Sequence, residues 1–215
     1  IELDQRAGEL SAFALTMKAR GKHRRFFRSP IQPNICVLEN IKFETDELNE
    51  YMNEVGRDLF THPFRTTLTQ FEESDNFGSL IQPALEDVEG IRQTLGSKDL
   101  SGNLFLKSTH DRVLKVLHQA DYLRQKYHVV IANPPYMQAK SMNRRLSVFA
   151  KDIFPDSKAD LFAMFMERSL RLVKHKCIIG ILNFQSWMFI TKYQNTLKQD
   201  KIYLLMNYLE IMAPI

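Results

Sequence analysis

Asn133-Pro134-Pro135-Tyr136 is the segment whose residue types and spacing point most directly to chemistry. It follows His128-Val-Val-Ile-Ala132, a β-branched and nearly continuous apolar run that reads as a strand buried on both faces. Two prolines after such a strand cannot extend its hydrogen-bond ladder. Each fixes φ near about −65°, and the first also restricts Asn133. The result is a stiff exit from a sheet that presents a side-chain amide, carbonyls and an aromatic ring together. This group suits methyl transfer to a planar exocyclic amine. An adenine-type amine is a poor nucleophile because its lone pair is delocalised into the ring. Two acceptors that bind both N–H bonds draw the nitrogen toward a tetrahedral shape and stabilise the positive charge that develops. Asn133 Oδ1 and the Pro134 carbonyl can do this, and the Tyr136 ring can stack on the base. A base in a duplex must be flipped out to reach them. The structural alternative is a stiff loop with a packed tyrosine. The strand in front of the motif favours the chemical reading.

An α/β pattern must position this group. A helix is predicted from Gln5 to about Lys22, with Leu10, Phe13, Ala14 and Met17 at helical spacing. Ile35–Leu38 reads as a short strand. A second helix carries Leu48, Tyr51, Met52 and Val55 on one face, with Asp46 as its N-cap. Phe71 to Gly78 reads as a short strand and loop, and Gly90 to Asn103 as a loop. A third helix is predicted from about His110 to Lys126. After the motif come a loop of about 20 residues and then a helix to Val173 with Phe162, Phe165 and Met166 inward. Cys177–Leu182 reads as a second buried strand, followed by a helix near Thr191–Lys198 and a strand at Ile202–Leu209. Alternating helices and strands imply a mostly parallel sheet, whose ligands bind beyond the carboxyl ends of its strands.

The 215 residues carry a net charge of +4, which permits a nucleic-acid partner without requiring one. Lys18, Arg20, Lys22, Arg24, Arg25 and Arg28 form a basic run that reads as the solvated end of a helix. Lys140, Arg144, Arg145 and Lys151 follow the motif and are candidates for phosphate contact. No apolar run is long enough to span a membrane, and Cys36 and Cys177 lack the spacing of a disulfide scaffold, so a reducing, cytoplasmic setting is expected. His62, His110, His118, His128 and His175 show no metal-ligand spacing, and no metal is expected.

The chain resembles the amino-type S-adenosylmethionine-dependent DNA methyltransferases, and within them the PglX-type adenine methyltransferases of BREX phage-defence systems. The resemblance rests on Ile1-Glu-Leu-Asp-Gln-Arg-Ala7, Ser74-Asp-Asn-Phe-Gly-Ser-Leu-Ile81, Tyr127 to Tyr136, Asp160-Leu-Phe-Ala-Met-Phe-Met-Glu-Arg168 and Gln185-Ser-Trp-Met188. It runs over essentially the whole chain. It implies a Rossmann-like α/β sheet with flanking helices, S-adenosylmethionine as cofactor, and N6 methylation of an adenine flipped out of double-stranded DNA. It implies other defence-system proteins as partners and no membrane. In the resemblance Asn133, Pro134, Pro135 and Tyr136 are the catalytic group, and Glu2, Leu3, Asp75 and Asn133 hold the cofactor. Glu2 takes the ribose hydroxyls, Leu3 packs on the adenine ring, and Asp75 accepts from the adenine amine. Asp75 can also be read as a turn residue before Gly78, and Asp4 as a helix cap rather than a ribose ligand. Asp160 and Phe162 match the helix beside the cofactor's methionine end, or serve helix charge and packing. Trp187 reads as a core residue.

Three departures from the family stand out. Its glycine-rich loop and the strand before it precede Glu2 in the family, so the sheet is expected to be incomplete at the N-terminus. Lys174-His175-Lys176 stands where the family has Lys-Pro-Gly-Gly. Later strands and the target-recognition region are expected beyond Ile215. Residues 1–215 are thus expected to be a partial catalytic domain, with 34–70 and 84–109 as insertions or loop-rich segments. Two other functions stay open. One is a catalytically silent module that binds DNA or a partner. The other is methylation of a protein glutamine or an RNA guanine by the same motif.

Overall fold

The computed structural model describes residues 1–28, 31–56, 61–98 and 103–182. They fall into two compact units, one of Ile1–Ile131 with Arg168–Gly180, the other of Ala132–Glu167 with the chain from Ile181 onward. Gln185-Ser-Trp-Met188 and the helix and strand expected after it lie outside the described residues.

The first unit is organised around α6 (Leu104–Arg124). Asn103 Oδ1 accepts from the N–H groups of Phe105 and Leu106, which starts the helix six residues before the expected His110. Val113, Val116, Leu117 and Ala120 are 0% exposed, the i, i+3, i+4, i+7 face that its sequence lays out. Each of the valines and the leucine contributes about 1.5–3 kcal/mol on burial, and the alanine methyl about 0.8 kcal/mol. They pack against α2 (Thr45–Val55), α3 (His62–Gln70) and α5 (Val88–Gly96). Tyr51, Met52 and Val55 of α2 are buried as its pattern predicts. Its cap is Glu44, not Asp46: Glu44 and Glu47 form a reciprocal capping box, and Asp46 lies inside the first turn.

Two loop expectations are corrected by local chemistry. Asp87 Oδ1 accepts from Gly90 N, and Val88 and Leu95 are buried seven residues apart, so α5 forms across the stretch read as a loop from Gly90. Phe71 to Leu80 is helical rather than a strand and loop. A 3-10 turn (Phe71–Glu73) is followed by α4 (Ser74–Phe77) and a second 3-10 turn (Gly78–Leu80). Gly78 makes the join with φ +54°, in the left-handed region open to glycine.

α1 (Gln5–Lys22) has the expected limits, and Asp4 caps it by accepting from Ala7 N. Leu10, Phe13 and Met17 of its apolar face are nevertheless exposed. The small sheet pairs β1 (Tyr127–Ala132) with β2 (Val173–Ile181) in parallel, with His128 beside Lys174 and Ile131 beside Gly180. The sequence predicts both strands buried on both faces, and neither is. Val129 is 51% exposed, Ile131 81% and Ile178 67%. A sheet of two strands has edges on both sides, and among the described residues one face of β1 has no cover. The described residues thus form a mixed helix-and-strand protein with a small parallel sheet. No described helix is long and apolar enough to cross a membrane.

In the second unit, the 20-residue loop expected after the motif contains a 3-10 turn (Ala139–Ser141) and α7 (Arg144–Ile153). Asn143 Oδ1 caps α7 by accepting from Leu146 N. Met142, Leu146, Ala150 and Phe154 are buried at four-residue spacing, a helical stripe set within polar sequence. α8 (Leu161–Leu172) begins in this unit, with Leu161 to Met164 buried and Phe165 and Met166 half-buried.

Candidate functional site

The strap Cys36–Ile41 holds two of the sequence-derived segments in the first unit. Glu2 N donates to the Cys36 carbonyl and Leu38 N to the Glu2 carbonyl, both at 2.9 Å, in a parallel bridge between Glu2 and Val37. Further along the strap, Asn40 Oδ1 accepts from Asp75 N at 2.9 Å, and Ile41 N donates to the Phe71 carbonyl. Cys36, Leu38 and Ile41 are buried and anchor the strap to the core. Burial pushes the Cys36 thiol up to about 11, so it is not a thiolate nucleophile at neutral pH.

Leu3 and the turn after Asp75 meet directly. A methyl group on Gly78 would lie 3.3 Å from Leu3 Cδ1, so the absence of a side chain there lets the two segments touch. Gly8 makes a second close approach, since a Cβ there would lie 2.7 Å from Val37 Cγ2. Glu2 Oε1 accepts from Leu3 N at 2.8 Å, which fixes the carboxylate at the N-terminal edge of α1. Leu3 is 45% exposed, and Asp75 lies exposed in the first turn of α4. The unit therefore brings together a half-buried carboxylate, an open apolar side chain and an exposed carboxylate. That donor set fits an adenosine group: acceptors for ribose hydroxyls and for an exocyclic amine, with an apolar contact for the ring.

The second unit carries the Asn-Pro-Pro-Tyr loop. It leaves β1 directly, and the strand pairing runs into it, since Leu182 N donates to the Ala132 carbonyl. Pro134 is buried, whereas Asn133 and Pro135 are exposed and Tyr136 is 48% exposed. A buried proline between two exposed groups makes a rigid pivot. The exit is latched to the chain ahead of α8. Leu161 N donates to the Met137 carbonyl at 2.9 Å and Ala139 N to the Ala159 carbonyl at 2.9 Å, around an antiparallel bridge of Gln138 with Asp160. Asp160 thus belongs to the latch, and its carbonyl accepts from Ala163 N and Met164 N at the start of α8. Phe162 is buried in packing.

Lys140 lies in the 3-10 turn, and Arg144, Arg145 and Lys151 on α7 rather than in a loop. All four are exposed. Arg144 and Lys151 are seven residues apart and so share the face opposite Leu146 and Ala150. Among the described residues no group of three His, Cys, Asp or Glu side chains is arranged to hold a metal ion.

The residues that sequence reasoning missed are Asn40, which orients the Asp75 turn, and the strap around it. Asn40 lies 35 residues from Asp75, and no local pattern signals the contact.

Residues 1–211 match the family described as Eco57I restriction-modification methylase. The chain is 34% identical over 240 aligned residues to the adenine-specific methyltransferase BrxX of Escherichia coli O9:H4 (strain HS), covering 99% of this chain and 20% of that protein. It is 28% identical over 200 residues to the adenine-specific methyltransferase PglX of Lacticaseibacillus casei (strain Zhang), covering 90% of this chain and 16% of that protein. The chain spans at most a fifth of the length of these curated relatives.

Proposed function

The chain belongs to the Eco57I restriction-modification methylase family, and on that premise we propose that it is catalytic-domain sequence of an adenine-specific DNA methyltransferase acting in phage defence. The observation that carries this reading is the Asn-Pro-Pro-Tyr loop at the end of β1, with Asn133 and Tyr136 open around a buried Pro134. The domain is read as a Rossmann-like sheet, with 34–70 and 84–109 as insertions; the first carries the strap with α2 and α3, and the second α5 and the start of α6.

S-adenosylmethionine, when bound, supplies an electrophilic methyl group. Glu2 accepts the ribose hydroxyls, Leu3 lies against the adenine ring, and Asp75 accepts from its amine. Asn133 Oδ1 and the Pro134 carbonyl accept the two N–H bonds of a flipped adenine, and Pro135 keeps their geometry rigid. Tyr136 stacks on the target base. Proton-accepting groups aimed at the amine favour the form in which its nitrogen bears positive charge, so their effect is largest in the transition state. No protein nucleophile is required, which agrees with a Cys36 thiol held protonated by burial.

The duplex backbone is assigned to Lys140, Arg144, Arg145 and Lys151. Two arginines in the first turn of α7 oppose the helix dipole, which favours anions at that end. Two guanidinium groups at that end suit a phosphate. The test is incubation of the full-length protein with methyl-labelled S-adenosylmethionine and unmodified DNA, protein and RNA. Label in N6-methyladenine of DNA is expected. Label in protein glutamine or RNA guanine instead would overturn the substrate assignment.

A further inference from the structure

We propose that Arg168 is a positioning residue for the cofactor: its guanidinium fixes the turn after Asp75 by tying it to the end of α6. The proposal rests on the reading of Glu2, Leu3 and Asp75 as cofactor residues. Arg168 Nε donates to the Ser79 carbonyl at 2.9 Å, and Nη2 to the Ile81 carbonyl at 2.9 Å and to the Leu123 carbonyl. Ser79 is the middle residue of the 3-10 turn Gly78–Leu80 and Ile81 follows it directly; Gly78, which begins the turn, is the glycine against which Leu3 rests. Leu123 is in the last turn of α6, just ahead of β1.

The side chain is 4% exposed, and among the described residues no carboxylate pairs with it. Burial, with the nearby Arg171 and Arg124 charges, holds its guanidinium down to about 10, so it remains a cation at neutral pH. A buried charge met only by carbonyls is an expensive way to fill space, and an apolar residue of similar volume would pack more cheaply. What a guanidinium adds is a planar fork that can hold carbonyls of two segments at fixed angles. A lysine presents one ammonium and cannot reproduce that span. The neighbours reinforce the same turn. Arg171 donates to Gln82 Oε1, and Gln70 Nε2 donates to the Gln82 carbonyl at 2.9 Å.

The experiment uses the full-length active enzyme, with R168K, D75N and E2Q compared with wild type. R168K is expected to raise the KM for S-adenosylmethionine about tenfold, the scale of a missing charge-assisted hydrogen bond. Its kcat at saturating cofactor should stay within about threefold of wild type. A lowered melting temperature with unchanged KM would make Arg168 a purely structural residue and overturn the proposal. If instead D75N and E2Q both leave cofactor affinity unchanged, the cofactor reading beneath the proposal fails, whatever R168K does. If R168K does not fold, hydrogen exchange of the wild-type enzyme decides. Cofactor should slow exchange in 76–82 and 121–125 together, and slowing confined to 76–82, or absent from both, overturns the link.

Discussion

Glu2 and Asp75 sit on short segments pinned to a packed helical core through the Cys36–Ile41 strap, whereas Asn133 and Tyr136 sit on a loop pinned by two prolines and a backbone latch to the chain ahead of α8. The first arrangement depends on contacts between segments far apart in sequence, backbone to backbone at Glu2 and through the Asn40 side chain at Asp75. The second rests on the two prolines themselves and on backbone bonds to the chain just ahead of α8. A cofactor contact can therefore be weakened from many places in the first unit, while the amine-binding group is sensitive chiefly to its own residues. On the proposed roles, cofactor affinity and methyl transfer should separate under mutation.

The sharpest test of that separation is Asn133→Ala. It removes one of two acceptors aimed at the amine and leaves Glu2, Leu3 and Asp75, the other three residues assigned to the cofactor, untouched. Loss of one such preorganised group typically costs about 10²–10³ in kcat. Calorimetric titration should find S-adenosylmethionine affinity reduced far less than turnover, by about tenfold at most, because three of its four assigned contacts remain. A variant that loses cofactor affinity as badly as turnover would dissolve the distinction between the two halves.

Glu2→Gln probes the other side. Hydroxyl hydrogen bonds to a charged acceptor are worth about 1.5–3 kcal/mol, so cofactor binding should weaken about 10- to 100-fold. Turnover at saturating cofactor should change little. Retained affinity would remove Glu2 from the site.

The α7 charges should affect neither cofactor affinity nor turnover on saturating DNA. Replacing Arg144, Arg145 and Lys151 by Gln should weaken DNA binding and flatten its salt dependence by about 0.9 in log–log slope for each phosphate that is no longer neutralised. An unchanged slope would place the duplex elsewhere.

A smaller effect reports on the core beneath the cofactor half. His110 Nδ1 lies 2.7 Å from Tyr51 Oη, and both side chains are buried between α2 and α6. Burial lowers the His110 pKa, so the folded state disfavours its protonated form. The unfolded imidazole titrates near about 6.5 and binds a proton that the folded one rejects. Stability should be level above that pH. It should fall as pH drops from about 6.5 toward the lower folded value, by at most about 1.4 kcal/mol per pH unit for one proton. Urea midpoints measured from pH 8 down to pH 5 would show the slope, and its persistence in His110→Gln would assign it to other groups.

How much of this was legible in the sequence follows the same division between local and distant contacts. α1 and α6 were readable because a long helix repeats its apolar spacing over several turns. Phe71 to Leu80 was not, because turns of three or four residues carry no period. α7 was not either, because its buried stripe is only Leu146 and Ala150 in ten residues, set among charged and polar side chains. The place of β1 was readable but not its exposure, since an apolar strand states a demand for cover and not where the cover comes from. In the site, Asn133 to Tyr136 could be argued from residue chemistry alone. Glu2 and Asp75 needed family resemblance, and Asn40 and Arg168 needed the fold, because their partners lie 35 to 89 residues away.

The smallest expected effect concerns the first half of β2, just after the join between helix and sheet. α8 ends at Leu172 and β2 begins at Val173, so the chain changes direction without a separate loop. Within β2, Lys176 has φ 59°, the one described non-glycine residue in the left-handed region. It stands in the stretch where the resembled family has Lys-Pro-Gly-Gly. Holding a residue with a Cβ in that conformation costs about 1–2 kcal/mol. Glycine removes the clash but adds backbone freedom to the unfolded chain, which offsets about 0.5–1 kcal/mol of the gain. Lys176→Gly should therefore stabilise the protein by about 0.5–1 kcal/mol, read as a higher urea midpoint with an unchanged slope. A lower midpoint would mean that the Lys176 side chain contributes more than its backbone strain costs. The local geometry of β2 would then be held, as the loop after β1 is, by its own residues.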